Sequence, residues 1–386
     1  MLSRQRFETD RRQRTEPVPG QDNRIARWVP SRILELSPYH ADSADGLLKL
    51  DAMENPYTWP SEIKDQWLQI ISTAPLNRYP DPQGTALRQD LKTWCGLDQT
   101  ADLMLGNGSD ELIQIIAMTL GGRGQVIMAP EPSFSMYSMI ASVTGTRFLG
   151  VPRDTEFRID LQACLDGIAE HQPCCVFLAR PNNPTGSLCS NETVHAIIDA
   201  APGLVVVDEA YHAFCGHTFL DRITDHDNLV VMRTFSKLGL AALRLGFLAG
   251  PKNWLDQFNK VRLPYNVNTL TQVSVRFALE HMEWFQGCAE QICNHREQLS
   301  IALLGLPDVQ VYPSDGNFLL MRMPRGRGTE IFQCLRQSGI LVKNLDGSHE
   351  ALADCLRVSV SSTDDNQAFV AALRNSLETV DLRESS

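Results

Sequence analysis

A chain of 386 residues, 43% apolar and 21% charged, is long enough for two ordinary domains and carries enough apolar material for sizeable cores. The balance of 35 Lys and Arg against 46 Asp and Glu leaves a formal charge of −11, which disfavours a generally basic nucleic-acid binder, because neutralising phosphates needs surplus cations. No apolar run reaches the roughly 18 residues of a spanning helix, no signal-peptide core follows the start, and no C-x-x-C occurs among the ten cysteines. The expectation is a soluble, acidic, cytoplasmic protein with reduced thiols and neither nucleic-acid nor membrane partners.

The first thirty residues stand apart. Arg4, Arg6, Arg11, Arg12 and Arg14 crowd a stretch poor in apolar residues, followed by Pro17, Pro19 and Gly20. Glu8, Asp10, Glu16 and Asp22 argue against a transit peptide, since such peptides are poor in acids. An N-terminal extension and arm over residues 1–45 is the expectation.

From about Asp102, short apolar runs alternate with amphipathic stretches. Gln125–Ala129, Cys174–Ala179, Leu204–Val207 and Leu229–Met232 have strand length, with helical patterns such as Glu111–Leu120 and Asn191–Ala201 between them. That alternation predicts an α/β fold: parallel βαβ units whose helices cover both faces of a mostly parallel sheet, over residues 46–283. From Trp284 the pattern loosens. A helix at Trp284–Leu304 leads to strands at Val309–Tyr312 and Phe318–Arg322. A helix at Gly328–Ser338, strands at Gly339–Val342 and Leu356–Ser359, and a helix at Asp364–Val380 follow. Residues 284–386 thus read as a smaller α+β domain, and no internal repeat is evident.

Four segments carry chemistry. In Gly106-Asn-Gly-Ser109-Asp110-Glu111, a glycine turn opens a helix with Ser109 as the natural N-cap. Its first amides would suit a phosphate, although many ordinary helices begin this way. Arg180-Pro-Asn-Asn183-Pro184-Thr185-Gly186 fixes a turning loop after an apolar strand and can present an Asn amide to a ligand. Leu204-Val-Val-Val-Asp208-Glu209-Ala-Tyr211 is a buried strand ending in carboxylates, at the sheet edge where α/β proteins bind ligands. A phosphate-hydrolysing reading would need G-x-x-x-x-G-K-[ST], which is absent. In Thr234-Phe-Ser236-Lys237-Leu-Gly-Leu-Ala-Ala-Leu-Arg244, a lysine lies in a small, apolar stretch. Desolvation lowers a lysine's pKa and makes its amine nucleophilic toward carbonyls. His212 and His217 are neighbours, but no H-E-x-x-H or comparable set accompanies them, so no metal site is expected.

Asn183-Pro-Thr-Gly, Asp208-Glu-Ala-Tyr211 and Ser236-Lys237 with Arg244, in this order, resemble the fold-type I pyridoxal-phosphate aminotransferases. Within them, Glu54-Asn-Pro-Tyr57, Arg78-Tyr-Pro, Gly106-Asn-Gly-Ser-Asp-Glu and Pro132-Ser-Phe-Ser-Met-Tyr137 resemble the histidinol-phosphate aminotransferases, from about Ser37 to the C-terminus. The resemblance implies pyridoxal 5'-phosphate as cofactor. Lys237 would link to its aldehyde and carry the substrate's proton, and Asp208 would pair with its ring nitrogen. Tyr211 and Asn183 would bond its 3′-oxygen, with Phe134 stacked on its face. Ser109, Asp110 and Glu111 at a helix start, with Ser236 and Arg244, would hold its phosphate. It further implies that Tyr57 reaches the phosphate of a partner subunit, so that a homodimer shares its active sites. Arg357 would bind the substrate carboxylate and phosphate, and Tyr39 would close over that phosphate. Lys343 stands where the family usually has an arginine, keeping the charge without the fork. The implied reaction moves an amino group from L-histidinol phosphate to 2-oxoglutarate in histidine biosynthesis. An aromatic amino-acid aminotransferase or a threonine-phosphate decarboxylase on the same scaffold is the alternative, and a cofactor-binding regulator a remote one.

Overall fold

The computed structural model describes residues 23–38, 42–98 and 100–384. The expectations for the arginine-rich segment before residue 23 and for Tyr39 lie outside the described residues. The chain divides into two units, Met1–Asp42 and Ser43–Ser386. In its described part the first carries two short helices, α1 (Asn23–Trp28) and α2 (Ser31–Leu34).

Among its described residues the second unit holds thirteen strands: β1 (Leu48–Lys49), β2 (Ala101–Gly106), β3 (Val126–Glu131), β4 (Arg147–Pro152), β5 (Cys175–Ala179), β6 (Leu204–Asp208), β7 (Leu229–Thr234), β8 (Gly246–Pro251), β9 (Gln310–Val311), β10 (Phe318–Arg322), β11 (Ile340–Leu341), β12 (Lys343–Asn344) and β13 (Cys355–Ser359). Its helices are α3 (Ser61–Ser72), α4 (Thr85–Cys95), α5 (Ser109–Leu120), α6 (Met136–Thr144), α7 (Leu161–His171), α8 (Asn191–Ala200), α9 (Lys252–Val261), α10 (Thr269–Glu280), α11 (Met282–Leu304), α12 (Gly328–Gln337) and α13 (Thr363–Glu384).

Seven strands form one sheet in the order β2-β8-β7-β6-β5-β3-β4. The β7-β6-β5-β3-β4 run is parallel throughout, and only β8 runs against its neighbours β7 and β2. Along β6, Val205 and Val207 enter one apolar cluster while Leu204 and Val206 enter the other, and β5 and β7 divide in the same way. Successive side chains of a strand point to opposite faces, so a sheet covered on both sides reads as an unbroken apolar run. β2, β4 and β8 do not read that way. Their sequences, ADLMLG, RFLGVP and GFLAGP, carry Gly, Pro or charge, which strands disfavour, and neighbours in the sheet override the propensity.

A second sheet, β12-β13-β10-β9, is antiparallel, and β1 pairs in parallel with β11. α11, α12 and α13 bury Ile292, Leu299, Ile331, Leu335, Phe369 and Leu373 in one cluster with Phe318, Leu319 and Val358 of this sheet. That cluster also takes in Leu50, Met53 and Tyr211. The ladder sets Lys343 directly opposite Arg357, so two cations share one face at neighbouring positions.

Candidate active site

A cavity of about 110 Å³ opens at the C-terminal ends of β5, β6 and β7, beside the start of α5. Nine of the residues singled out in the sequence line it together: Ser109, Asp110, Phe134, Asn183, Asp208, Tyr211, Ser236, Lys237 and Arg244. Parallel strands deliver their last side chains to one edge, which is why segments more than 100 residues apart converge here.

Asp208 ends β6 and is buried. Burial pushes its carboxyl up to about 6, against a Tyr137 hydroxyl that donates to Oδ2 over 2.6 Å and an Ala210 N–H that donates to Oδ1 over 3.0 Å. Lys237 sits in a single π-type turn, Ser236–Leu240, with Gly239 at φ 130°. Its ammonium donates to the carbonyl of Ala52 over 2.9 Å and lies 5.9 Å from the Tyr211 ring centroid. Burial, then the nearby charge of Arg357, lowers its pKa to about 8. The turn is anchored by Asn55, whose Nδ2 donates to the carbonyl of Leu238 over 2.9 Å. Tyr211 is buried with its hydroxyl 3.2 Å from Met53 Sδ, and burial raises its pKa.

At the other end of the cavity, α5 begins differently from the expectation. Gly108, at φ 82°, occupies the cap position and makes no side-chain cap bond, and Ser109 is the first helical residue. A Cβ on residue 108 would come within 2.6 Å of Arg244 Nη2, so the guanidinium fills the place where a side chain would stand. A Cβ on Gly246 would come within 2.9 Å of Ser109 N, so this glycine lets the helix start press onto β8. Arg244 reaches Asp110 Oδ2 at 3.3 Å and Ser236 Oγ at 3.4 Å. The amides at the head of α5, the Ser236 hydroxyl and the guanidinium form an anion cradle.

Glu111 faces elsewhere: its carboxylate accepts from Asn107 N and Asn266 Nδ2, both over 2.6 Å, closing the turn before the helix. Tyr57 is also outside the cavity of its own chain, with its hydroxyl 3.3 Å from His295 Nδ1. Arg357 adjoins the cavity. It is hydrogen-bonded through Nη1 to Asn183 Oδ1 and donates from Nη2 to the carbonyl of Asp51 over 2.8 Å. With its oxygen so held, the Asn183 carboxamide has its NH2 as the end able to donate to a ligand.

The donor set suits a flat aromatic molecule with a phosphate at one end, a basic ring nitrogen near Asp208 and a carbonyl within reach of Lys237. Phe134 supplies an aromatic wall. Among the described residues no group of His, Cys, Asp and Glu could hold a metal ion. His212 is instead a packing residue against Trp94, with burial lowering its pKa to about 3. Sequence reasoning gave no role to Tyr137, Asn55 or the carbonyl of Ala52. Tyr137 lies 71 positions from Asp208, and nothing local in the sequence links the two.

This sheet order, with a half-buried lysine one strand beyond a buried aspartate, is the architecture of the fold-type I pyridoxal-phosphate aminotransferases. Histidinol-phosphate aminotransferase from Sinorhizobium meliloti, solved in complex with pyridoxal-5'-phosphate, superposes with a TM-score of 0.83 at 22% identity, covering 92% of this chain and 98% of that one. The chain belongs to the aminotransferase class I and II family, whose model matches residues 45–373. It is 49% identical over 352 residues to histidinol-phosphate aminotransferase 2 of Nitrosococcus oceani, which covers 91% of this chain and 98% of that one. It is 45% identical to histidinol-phosphate aminotransferase of Chromobacterium violaceum, covering 91% of this chain and 98% of that one.

Proposed function

We propose that this chain is a pyridoxal-phosphate-dependent aminotransferase that moves the amino group of L-histidinol phosphate to 2-oxoglutarate, a step of histidine biosynthesis in the cytoplasm. The observation that carries the chemistry is the desolvated Lys237 amine in one cavity with Asp208, Tyr211 and the Arg244 cradle. The substrate reading is supported by relatives of that name at 49% and 45% identity. Bound here, the cofactor supplies an electron sink for the charge left at the substrate's Cα.

The protein's residues do the rest. The amides of Ser109 and Asp110, the Ser236 hydroxyl and the Arg244 fork hold the phosphate and fix the register of the ring. Asp208 keeps a proton on the ring nitrogen, Phe134 covers one face, and Tyr211 with the Asn183 amide bonds the ring oxygen. With its pKa lowered to about 8, Lys237 gives up its proton far more readily near neutral pH than an ordinary lysine does. Held there, its amine would stand within reach of the cofactor's aldehyde and, when free, would take the proton from the substrate's Cα and return it. Arg357 receives the carboxylate of glutamate and the phosphate of histidinol phosphate in turn, and Lys343, opposite it on β12, adds a second cation for the phosphate. On this reading 46–283 is the cofactor domain and 284–386 the substrate domain.

The working unit on this reading is a homodimer in which Tyr57 serves the partner's phosphate. Tyr57 stands clear of its own cavity, and the large apolar side chains of Leu76, Tyr79 and Leu263 are 72%, 81% and 71% exposed, which supports burial against a second copy. Mixing Lys237→Ala chains with Tyr57→Ala chains tests this. One intact site per mixed dimer should restore part of the activity, and no restoration would contradict the shared site.

A further inference from the structure

Tyr137 is 1% exposed and does not line the cavity, yet it touches two of its walls. Its hydroxyl donates to Asp208 Oδ2 over 2.6 Å. Its ring stacks on Phe177 of β5, with centroids 4.6 Å apart at 11°, and meets Phe134 edge-on at 5.7 Å and 88°. Held between two aromatic rings, the side chain cannot swing away from the carboxylate without opening the core. Packing alone would be served by phenylalanine. The hydroxyl is costly in such a place unless bonded, and the partner it has is a cavity carboxylate.

A donated hydrogen bond favours the charged form of a carboxylate, while burial and neighbouring acids disfavour it. The titratable groups facing Asp208 are Tyr137 from α6, Asp110 from α5, and Glu209 and Tyr211 after β6. Asp110 and Glu209 act against ionisation, and the Tyr137 hydroxyl and the Ala210 amide act for it. Both carboxylate oxygens are thereby held, one by a side chain and one by backbone.

We propose that Tyr137 is a positioning residue whose hydroxyl sets Asp208 as an oriented anion and whose ring holds Phe134 against the adjoining wall. The proposal rests on the reading of Asp208 as partner of the cofactor's ring nitrogen. One side chain thus sets both the edge and the face of the site before any ligand enters.

The test uses cofactor-free protein with carboxyl-labelled aspartate, following Asp208 by carbon NMR, with Asp208→Asn marking its signal. Tyr137→Phe keeps both ring contacts and removes one oxygen, and the Asp208 midpoint should rise by about one pH unit or more. Placing 3-fluorotyrosine at position 137, a stronger donor of nearly the same shape, should lower the midpoint and serves if the phenylalanine variant folds poorly. Affinity for pyridoxal phosphate at neutral pH should fall about tenfold in Tyr137→Phe and should not fall further when that change is added to Asp208→Asn. An unchanged midpoint in both Tyr137 variants overturns the proposal. Undiminished cofactor affinity in Asp208→Ala, with the midpoint shift intact, overturns the reading of Asp208 instead.

Discussion

At Lys237, burial and the charge of Arg357 act in the same direction, lowering the ammonium pKa to about 8. Between that value and the ordinary 10.5, the unfolded chain holds a proton that the folded, cofactor-free protein does not. Stability therefore rises with pH through that window, and the cost of the buried charge is fully present below it. Lys237→Ala should remove that slope and stabilise the cofactor-free protein at pH 7 by up to about 3 kcal/mol, read from denaturant melts at several pH values. The same variant should lose transamination and the visible absorbance of bound cofactor, and an unchanged spectrum would remove Lys237 from the site. Asp208 has the opposite sign. Raised to about 6, it binds a proton in the folded state that the unfolded chain has already released above pH 4, so its contribution falls as pH rises from about 4 to 6. Asp208→Asn should flatten that limb of the stability profile. At the phosphate end, Gly108→Ala should displace the Arg244 guanidinium and strain a φ of 82°, weakening cofactor retention with little change in the rest of the fold.

β6 and β7 are joined beyond their ladder by an ion pair in the core. Glu209 Oε2 accepts from Arg233 Nε and Nη2 at 2.9 and 2.8 Å, and the pair also engages Thr218 and the amide of Phe219. Arg233→Met would leave a buried carboxylate without its cation, and unfolding measurements should show a loss of about 3–5 kcal/mol. The double change with Glu209→Gln should cost less than the sum of the two single ones. This element-level order is only partly legible in the sequence. β5, β6 and β7 are readable because both faces of the sheet are covered and Val, Leu and Phe follow without interruption. β2, β4 and β8 are not, since Gly and Pro near their ends conceal strands that exist through their neighbours. The helix start after Gly106 is legible, but its cap is not. Serine is the better cap by propensity, and glycine takes the position because the backbone turns left-handed under Arg244. Site residues with their own motif, such as Asn183, Asp208 and Lys237, could be named in advance. Tyr137, Asn55 and the Ala52 carbonyl act across long separations and needed the fold.

Over the whole molecule a formal charge of −11 coexists with Lys237 and Arg244 in the cavity wall and Arg357 beside it, with Lys343 opposite Arg357 on β12. That exception suits a substrate and cofactor that are both small anions, and raised salt should weaken substrate binding more than it weakens turnover of bound substrate. Lys343 sets a cation opposite Arg357 without a guanidinium's two-pronged geometry, so Lys343→Arg should tighten binding of a phosphorylated substrate and leave unphosphorylated ones unchanged. Single-turnover kinetics of the cofactor-loaded protein test the substrate assignment most directly. Amino transfer from histidinol phosphate should outpace that from phenylalanine or threonine phosphate by orders of magnitude and yield glutamate from 2-oxoglutarate. Comparable rates for all three, or release of carbon dioxide without need of an oxo acid, would contradict it.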